Sequence, residues 1–245
     1  MIFITGDTHA DVRRFNHDNF PEQSEMTKDD YVIVCGDFGL VFSQVESKEE
    51  QYWLDWLERK SFTTLFVDGN HENFDRLNNY PVEKWNGGLV NKIRPSVLHL
   101  KRGEVFNLQG KTFFTFGGAS SHDVRDGILE SNETKKIKKF RREHKAFRVN
   151  HVSWWKEELP SEIEMQHGLE SLAKVGNSVD YVITHSPSAG MMEELGCTEH
   201  NALTDYLETI RTTVEYGKWF FGHMHDNTQI DEKEFLLYEQ IIKII

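Results

Sequence analysis

The chain has 245 residues and a formal net charge of −12 at pH 7. Its length allows one large domain with a full hydrophobic core, although two small domains would also fit. The acidic balance disfavours non-specific binding of nucleic acid, but it does not exclude anionic substrates, because bound divalent cations would invert the local field. Seventeen Phe and six Trp exclude a disordered chain and indicate well-filled core layers.

The first residues, Met1 to Thr5, form an apolar run with no basic leader before it. No apolar run approaches the roughly 20 residues that a membrane span needs. The chain has two cysteines, Cys35 and Cys197, which lack metal-like spacing. So small a number of cysteines is typical of a reducing compartment. We therefore predict a cytoplasmic protein with no membrane association.

Short β-rich runs alternate with helical patterns, which favours an α/β fold. Several runs lie close together after residue 96, so part of the sheet is predicted to be antiparallel. No repeat or low-complexity linker marks a boundary, and we predict a single domain over residues 1–245. The predicted strands lie near residues 1–5, 31–35, 63–67, 97–100, 104–108, 112–116, 180–184, 218–221, 227–230 and 235–239.

Three helices have recognisable signals. Capping boxes predict starts at Ser47 and Ser161, and Gly176 is the predicted end of the second helix. A third helix is predicted from about Glu199 to Thr212. Its inward face is predicted to comprise Leu203, Tyr206, Leu207 and Ile210.

Residues 132–148 depart from the acidic composition, with eight Lys and Arg against two Glu. Such charge runs are commonly solvated helices or flexible insertions. The alternative is a segment that steers an anionic substrate, nucleic acid included, towards a site. We treat the region near 122–150 as a basic insertion in the domain.

Five short polar blocks each follow a predicted strand, and strand ends in an α/β fold deliver side chains to one rim. On an extended segment, residues i and i+2 point the same way, so the two members of Asp-x-His or His-x-His can reach one metal. Each block alone is also compatible with an ordinary turn. The blocks are Gly6-Asp7-Thr8-His9, Gly36-Asp37, Gly69-Asn70-His71-Glu72, Thr184-His185 and Gly222-His223-Met224-His225.

The third block is the most specific of the five. Asn70 offers a neutral amide oxygen as a ligand, and His71 can face a substrate instead of a metal. Glu72 is predicted to accept a hydrogen bond from the His71 imidazole and so to hold its tautomer. A helix N-cap at Asn70 is the alternative.

Taken together, the blocks supply two carboxylates, one amide and four imidazoles. This mixed nitrogen and oxygen set suits two divalent transition metals, with Mn favoured and Fe, Zn, Ni or Co as alternatives. It does not suit Mg or Ca, which prefer oxygen ligands.

All five blocks occur in the order found in the calcineurin-like metallophosphoesterases, from residue 6 to residue 225, so the chain resembles that binuclear metal phosphoesterase superfamily over nearly its whole length. The resemblance implies a four-layer β-sandwich flanked by helices on both outer faces. It also implies that one metal is held by Asp7, His9 and His225 and the second by Asn70, His185 and His223, with Asp37 bridging the two.

The same resemblance implies the catalytic residues. His71 would act near the leaving group, as a general acid or as a positive charge on the phosphate, and Glu72 would orient it. Two features depart from the family pattern. Many protein phosphatases of the family have a phosphate-binding arginine after the second block, where this chain reads Phe38-Gly39-Leu40-Val41, and Glu72 stands in place of the commoner aspartate.

A glycine-rich loop, residues 117–123, follows a strong strand and is a candidate for the rim of the site. Within it and just after it, His122 and Arg125 are the candidate substrate contacts. A structural glycine turn with exposed polar residues is the alternative.

The function expected from these features is hydrolysis of a phosphate mono- or diester through attack by a metal-bridging water or hydroxide. The expected partner is a phosphate ester, with a nucleotide or small molecule favoured over a phosphoprotein and nucleic acid left open. The alternative is a catalytically inactive protein-binding module on the same scaffold.

Overall fold

The computed structural model describes residues 1–198 and 200–245 and contains two mixed β-sheets with helices. All ten predicted strands are present, with small shifts at their ends. Five further strands were not predicted, because they are short or carry charged residues without an apolar run. In chain order the strands are β1 (Ile2–Thr5), β2 (Tyr31–Val34), β3 (Thr63–Phe66), β4 (Val82–Trp85), β5 (Gly88–Arg94), β6 (Val97–Leu100), β7 (Glu104–Leu108), β8 (Lys111–Phe116), β9 (Gly127–Leu129), β10 (Phe147–Val149), β11 (Ser178–Thr184), β12 (Glu215–Phe221), β13 (Thr228–Gln229), β14 (Glu234–Leu236) and β15 (Ile242–Lys243).

The helices include the three that the sequence predicted. They are α1 (Lys48–Glu58), α2 (Phe74–Leu77), α3 (Thr134–Arg142), α4 (Glu162–Lys174), α5 (Ala189–Glu194) and α6 (Ala202–Thr213), with short 3-10 helices at Val12–Phe15, Pro21–Glu25 and Lys156–Glu158. None of the described helices is long and apolar enough to cross a membrane.

Capping explains where the predicted helices begin. The backbone N–H of Glu50 donates to the Ser47 hydroxyl, and its carboxylate accepts from the Ser47 N–H, so both predicted capping boxes, the second at Ser161, are confirmed. The third helix begins at Ala202, not at Glu199, which lies outside the described residues. Its predicted inward face is buried.

The first sheet has the strand order β15-β1-β2-β3-β6-β5-β4, in which β1, β2, β3 and β6 run parallel. The second has the order β13-β14-β12-β11-β8-β7, in which β8, β11, β12 and β14 run parallel. The outer pairs are antiparallel, as the sequence predicted. The parallel core brings the carboxyl ends of β1, β2 and β3 to one edge of the first sheet and those of β11 and β12 to one edge of the second.

Alternate residues of the central strands point to opposite faces of their sheet and pack in different apolar clusters. Ile33 of β2 and Ile183 of β11 share one cluster, so the two sheets pack face to face. On their other faces, Val34 packs in a cluster with Leu54 of α1, and Val182 packs in one with Leu207 of α6. Because both faces of these strands are buried, the strands read as continuous apolar runs instead of alternating patterns.

Residues 122–150, called the basic unit below, contain a separate two-stranded parallel sheet of β9 and β10 joined through α3. Ile137 of α3 packs with Leu129 and Val149 from the two strands, and Phe140 and Phe147 cover this small cluster. Residues 132–148 therefore contain a helix with exposed basic side chains, which agrees with the solvated helix considered from the sequence.

Candidate metal centre

Loops at the carboxyl ends of five parallel strands converge on one place. β1, β2 and β3 lead into Asp7, Asp37 and Asn70, and β11 and β12 lead into His185 and His223. The edges of the two sheets meet there, because the His185 imidazole Nδ1 donates a hydrogen bond of 2.7 Å to the Cys35 carbonyl across the sheets. The convergence predicted from strand ends is therefore present.

Asp7, His9, Asp37 and His225 form a compact group, with one potential ligand atom from each lying within 4.8 Å of the others. The His225 Nε2 atom lies 3.2 Å from Asp7 Oδ2 and 2.8 Å from His9 Nε2. Both carboxylates are buried, whereas the two imidazoles are more exposed. This geometry would allow the four side chains to share one cation.

Asp37 lies between this group and a second one. Its Oδ2 atom is 3.6 Å from His9 Nε2, and its Oδ1 atom is 3.3 Å from His185 Nε2. The backbone N–H of His71 donates a hydrogen bond of 2.9 Å to the same Oδ1. The two oxygens of one buried carboxylate thus face two different sets of imidazoles.

Two buried acceptors in the second group have no hydrogen-bond partner among the described residues, namely Asn70 Oδ1 and His185 Nε2. The hydrogen bond from His185 Nδ1 to Cys35 leaves its Nε2 atom directed into the site, on the side of Asp37. A buried polar atom without a partner is costly, so these two atoms fit ligands of a cation. The residues present therefore suit the metals that the sequence predicted.

Electrostatics at the centre favour a positive ion. Burial opposes a charge on His185, but the charges of Asp37 and Asp7 outweigh burial and raise the pKa of His185 to about 10. The two carboxylates thus favour positive charge at this imidazole, and a cation bound at Nε2 would take the place of its proton. Burial lowers the pKa values of His9 and His223, which keeps these imidazoles neutral and able to act as ligands. The site therefore combines buried negative charge with lone pairs.

The backbone around the site is strained. Four candidate ligands have positive φ angles, which non-glycine residues rarely adopt: His9 at 44°, Asp37 at 45°, His223 at 72° and His225 at 51°. The extended backbone assumed from the sequence for the Asp-x-His and His-x-His blocks is therefore wrong at these positions. A side chain at Gly222 would meet Asp7 Oδ1 at 2.2 Å, which explains the glycine before His223.

His223 and His225 consequently face different neighbours. The His223 ring lies 5.0 Å from the His185 ring, and its Nε2 atom lies 2.8 Å from His122 Nε2. His225 lies with Asp7 and stacks on Tyr238 at 4.9 Å. His122 is thus brought to the centre, whereas Arg125 is exposed, and no hydrogen bond or ion pair among the described residues joins it to the candidate ligands.

Glu72 has a different set of partners from the one predicted. Its fully buried carboxylate accepts hydrogen bonds from the backbone N–H groups of Phe38 (2.8 Å), Gly39 (3.4 Å) and Gly69 (2.7 Å). Within the described part of the chain, no hydrogen bond joins it to the His71 imidazole. The predicted bond to His71 is therefore wrong, because the Glu72 side chain turns towards the backbone of the loops that carry Asp37 and Asn70.

Replacing Glu72 with alanine should therefore destabilise the fold. We expect the free energy of unfolding to fall by about 2–4 kcal/mol, because buried backbone donors would lose their acceptor. Urea unfolding with a chelator present would measure this without a contribution from metals. The exposed Glu22→Ala variant is the control, and unchanged stability with lowered turnover would instead support an orienting role.

Three groups that support the candidate ligands were not found from the sequence. The Arg14 guanidinium donates to the backbone carbonyls of Asp7 and Tyr238, at 2.6 Å each. The Cys35 carbonyl accepts the hydrogen bond from His185, and the Tyr238 ring stacks on His225. These contacts use backbone atoms or residues distant in the chain, for which single-sequence reasoning has no signal.

A cavity of about 230 Å³ opens beside His223. The described residues of its walls are largely uncharged and polar. They comprise Ser120, His122, Ser186, Met192, His200, Asn201, Thr204 and His223.

Comparison with known proteins agrees with this geometry. The family model described as calcineurin-like phosphoesterase matches residues 1–227. The chain is also 24% identical over 143 residues to lariat debranching enzyme A from Xenopus laevis, an alignment that covers 53% of this chain and 26% of that protein. The chain thus matches about a quarter of the length of this curated relative. With a family match that spans nearly the whole chain and an Asp/His cluster typical of binuclear members, the chain belongs to the calcineurin-like phosphoesterase family.

Proposed function

We propose that the protein hydrolyses a phosphate mono- or diester at a centre for two divalent transition metals, with Mn favoured. The observation that carries the proposal is the position of Asp37, whose two carboxylate oxygens face His9 on one side and His185 on the other. One ion would be held by Asp7, His9 and His225, and the second by Asn70, His185 and His223. Asp37 would bridge them, within the four-layer sandwich and single domain predicted from the sequence.

The bound metals would supply Lewis acidity, which lowers the pKa of a water nucleophile and neutralises charge on the phosphoryl oxygens. The chain itself orients the ligands: Cys35 holds the His185 ring, and Arg14 holds the carbonyl of Asp7. The buried position of Asp37 keeps solvent from competing for its oxygens.

His71 is the proposed proton donor to the leaving group. Its backbone N–H is hydrogen-bonded to Asp37, and its ring lies edge-on at 4.8 Å from that of His9. Burial lowers the pKa of His71, but the negative charge of an arriving phosphate would favour its protonated form. Glu72 would act indirectly, by fixing the loops on both sides of His71.

The substrate class follows from the surroundings. The uncharged polar cavity beside His223 would receive the part of the substrate attached to phosphate, with His122 at its edge. This lining favours a nucleotide or another small polar ester over a phosphoprotein.

The test combines metal analysis with two generic substrates, an aryl phosphate and its bis-ester, assayed with added Mn. Hydrolysis of either by protein that retains two metal ions per chain would support the proposal. A metal-free protein inactive on both would overturn it and favour a protein-binding module on this scaffold. Comparing the two rates separates a monoesterase from a diesterase.

Replacing His71 with alanine should lower kcat by about 100-fold or more, the usual contribution of a positioned general acid, and leave metal content unchanged. Elemental analysis and steady-state kinetics on an aryl ester with a poor leaving group would measure both quantities. The effect should shrink for a good leaving group, which needs no proton. An equal loss for both esters, or loss of metal, would contradict the assigned role.

A further inference from the structure

The basic unit carries a charge opposite to that of the rest of the protein. Residues 122–150 contain nine Lys and Arg against five Asp and Glu, a net charge of +4. Since the whole chain carries −12, the remaining residues carry −16. A polyanion would be repelled by most of the molecule and attracted to this unit.

The positive charge is concentrated on one helix face. Ile137 and Phe140 of α3 turn towards β9 and β10, which leaves Lys135, Lys138 and Lys139 exposed. Within residues 1–198 and 200–245, no carboxylate lies within ion-pairing distance of these three lysines. Their spacing of three and four residues places them together on the helix surface, so their charges are available to an external partner.

The base of the basic unit lies at the metal centre. His122, at its start, reaches to 2.8 Å from the candidate ligand His223. Asp123 is ion-paired with Arg148, near the end of the unit, at 2.7 Å, which holds the two ends of the unit together. A phosphate bound at the metal centre would therefore lie close to His122, at the start of the basic unit.

We propose that the basic unit binds the sugar-phosphate backbone of single-stranded nucleic acid and delivers one of its phosphodiesters, or a terminal phosphate, to the metal centre. This inference rests on the proposed function. A nucleic acid carries repeated phosphates, so one chain can occupy both surfaces at once, whereas a small ester cannot. An acidic membrane fits less well, because the apolar residues of α3 face inwards and offer nothing to insert.

The test compares two variants that each lose three exposed lysines. One carries Lys135→Gln, Lys138→Gln and Lys139→Gln, and the matched control carries Lys48→Gln, Lys84→Gln and Lys174→Gln at exposed positions elsewhere. Binding of a labelled single-stranded oligonucleotide of about 20 residues is measured by fluorescence anisotropy over salt concentrations of about 50–200 mM. Far-ultraviolet circular dichroism confirms that each variant is folded.

We expect the helix variant to bind at least about tenfold more weakly and its salt slope to fall by about 2, since each phosphate contact to a single strand contributes about 0.7. The control should bind like the unchanged protein. Equal binding by both variants would overturn the inference. So would α3-dependent binding to acidic phospholipid vesicles without binding to the oligonucleotide.

Hydrolysis of the aryl esters by the unchanged protein separates the two proposals. Active protein that binds the oligonucleotide independently of α3 would refute only the role of the basic unit. Inactive, metal-free protein that binds the oligonucleotide through α3 would refute the proposed hydrolysis, and with it delivery to a metal centre, but not the binding of nucleic acid by the basic unit.

Discussion

Asp37→Asn should reduce kcat/KM for any phosphate ester by about 1000-fold or more. The substitution replaces one carboxylate oxygen by an amide nitrogen, which cannot coordinate a metal. It also removes the negative charge between His9 and His185. Removing a group that only orients a metal ligand lowers metal affinity or activity by about 10–100-fold. The loss should be larger here, because a bridging ligand would bind both ions. Kinetics with saturating Mn and elemental analysis would measure the two effects together.

The control for this variant is Asp18→Asn, an exposed aspartate away from the candidate ligands. It should retain both metals and full activity. If Asp37→Asn kept two metals and unchanged turnover, the bridging assignment would be wrong. Loss of activity with both metals retained would show that the charge of Asp37 matters more than its position as a ligand.

Arg102→Ala should lower the free energy of unfolding by about 3–5 kcal/mol, the cost of leaving a buried charge without its partner. Arg102 and Asp68 are both buried, and the Arg102 Nε atom donates to Asp68 Oδ2 at 2.9 Å. Burial alone would raise the pKa of Asp68, but Arg102 and His99 outweigh it and hold the pKa below its usual range. Chemical denaturation in the presence of a chelator would measure the loss.

The exposed Lys92–Glu83 ion pair provides the comparison. Lys92→Ala should lower the free energy of unfolding by less than about 1 kcal/mol. In the double variant Asp68→Asn/Arg102→Ala, the free energy of unfolding should fall by less than the sum of the losses in the two single variants. The reason is that the double variant no longer buries the charge of Asp68 without its partner. Additive losses would contradict the pairing. Activity should fall as well, since Asp68 directly precedes the loop of Asn70 and His71 and its backbone carbonyl accepts from Gly118.

The strand pattern was predictable because each central strand is an apolar run bounded by glycine or polar residues. The capping boxes at Ser47 and Ser161 are similarly local, since a side chain and a backbone group three residues apart decide them. By contrast, β4 is largely exposed and polar, and β15 has two residues, so neither carries an apolar signal. Their pairing depends on the neighbouring strand.

By itself, the amino-acid sequence predicted the candidate ligands that the structure brings to one place, since five blocks at strand ends share one chemistry. Only the tertiary structure decided which partners they meet. Glu72 binds loop backbone because burial leaves its carboxylate no solvent and three N–H groups lie within reach. His223 and His225 separate because their backbone is left-handed, not extended. The contacts of Glu72 with Phe38 and Gly39 join atoms distant in the chain, so they depend on packing and not on any local pattern.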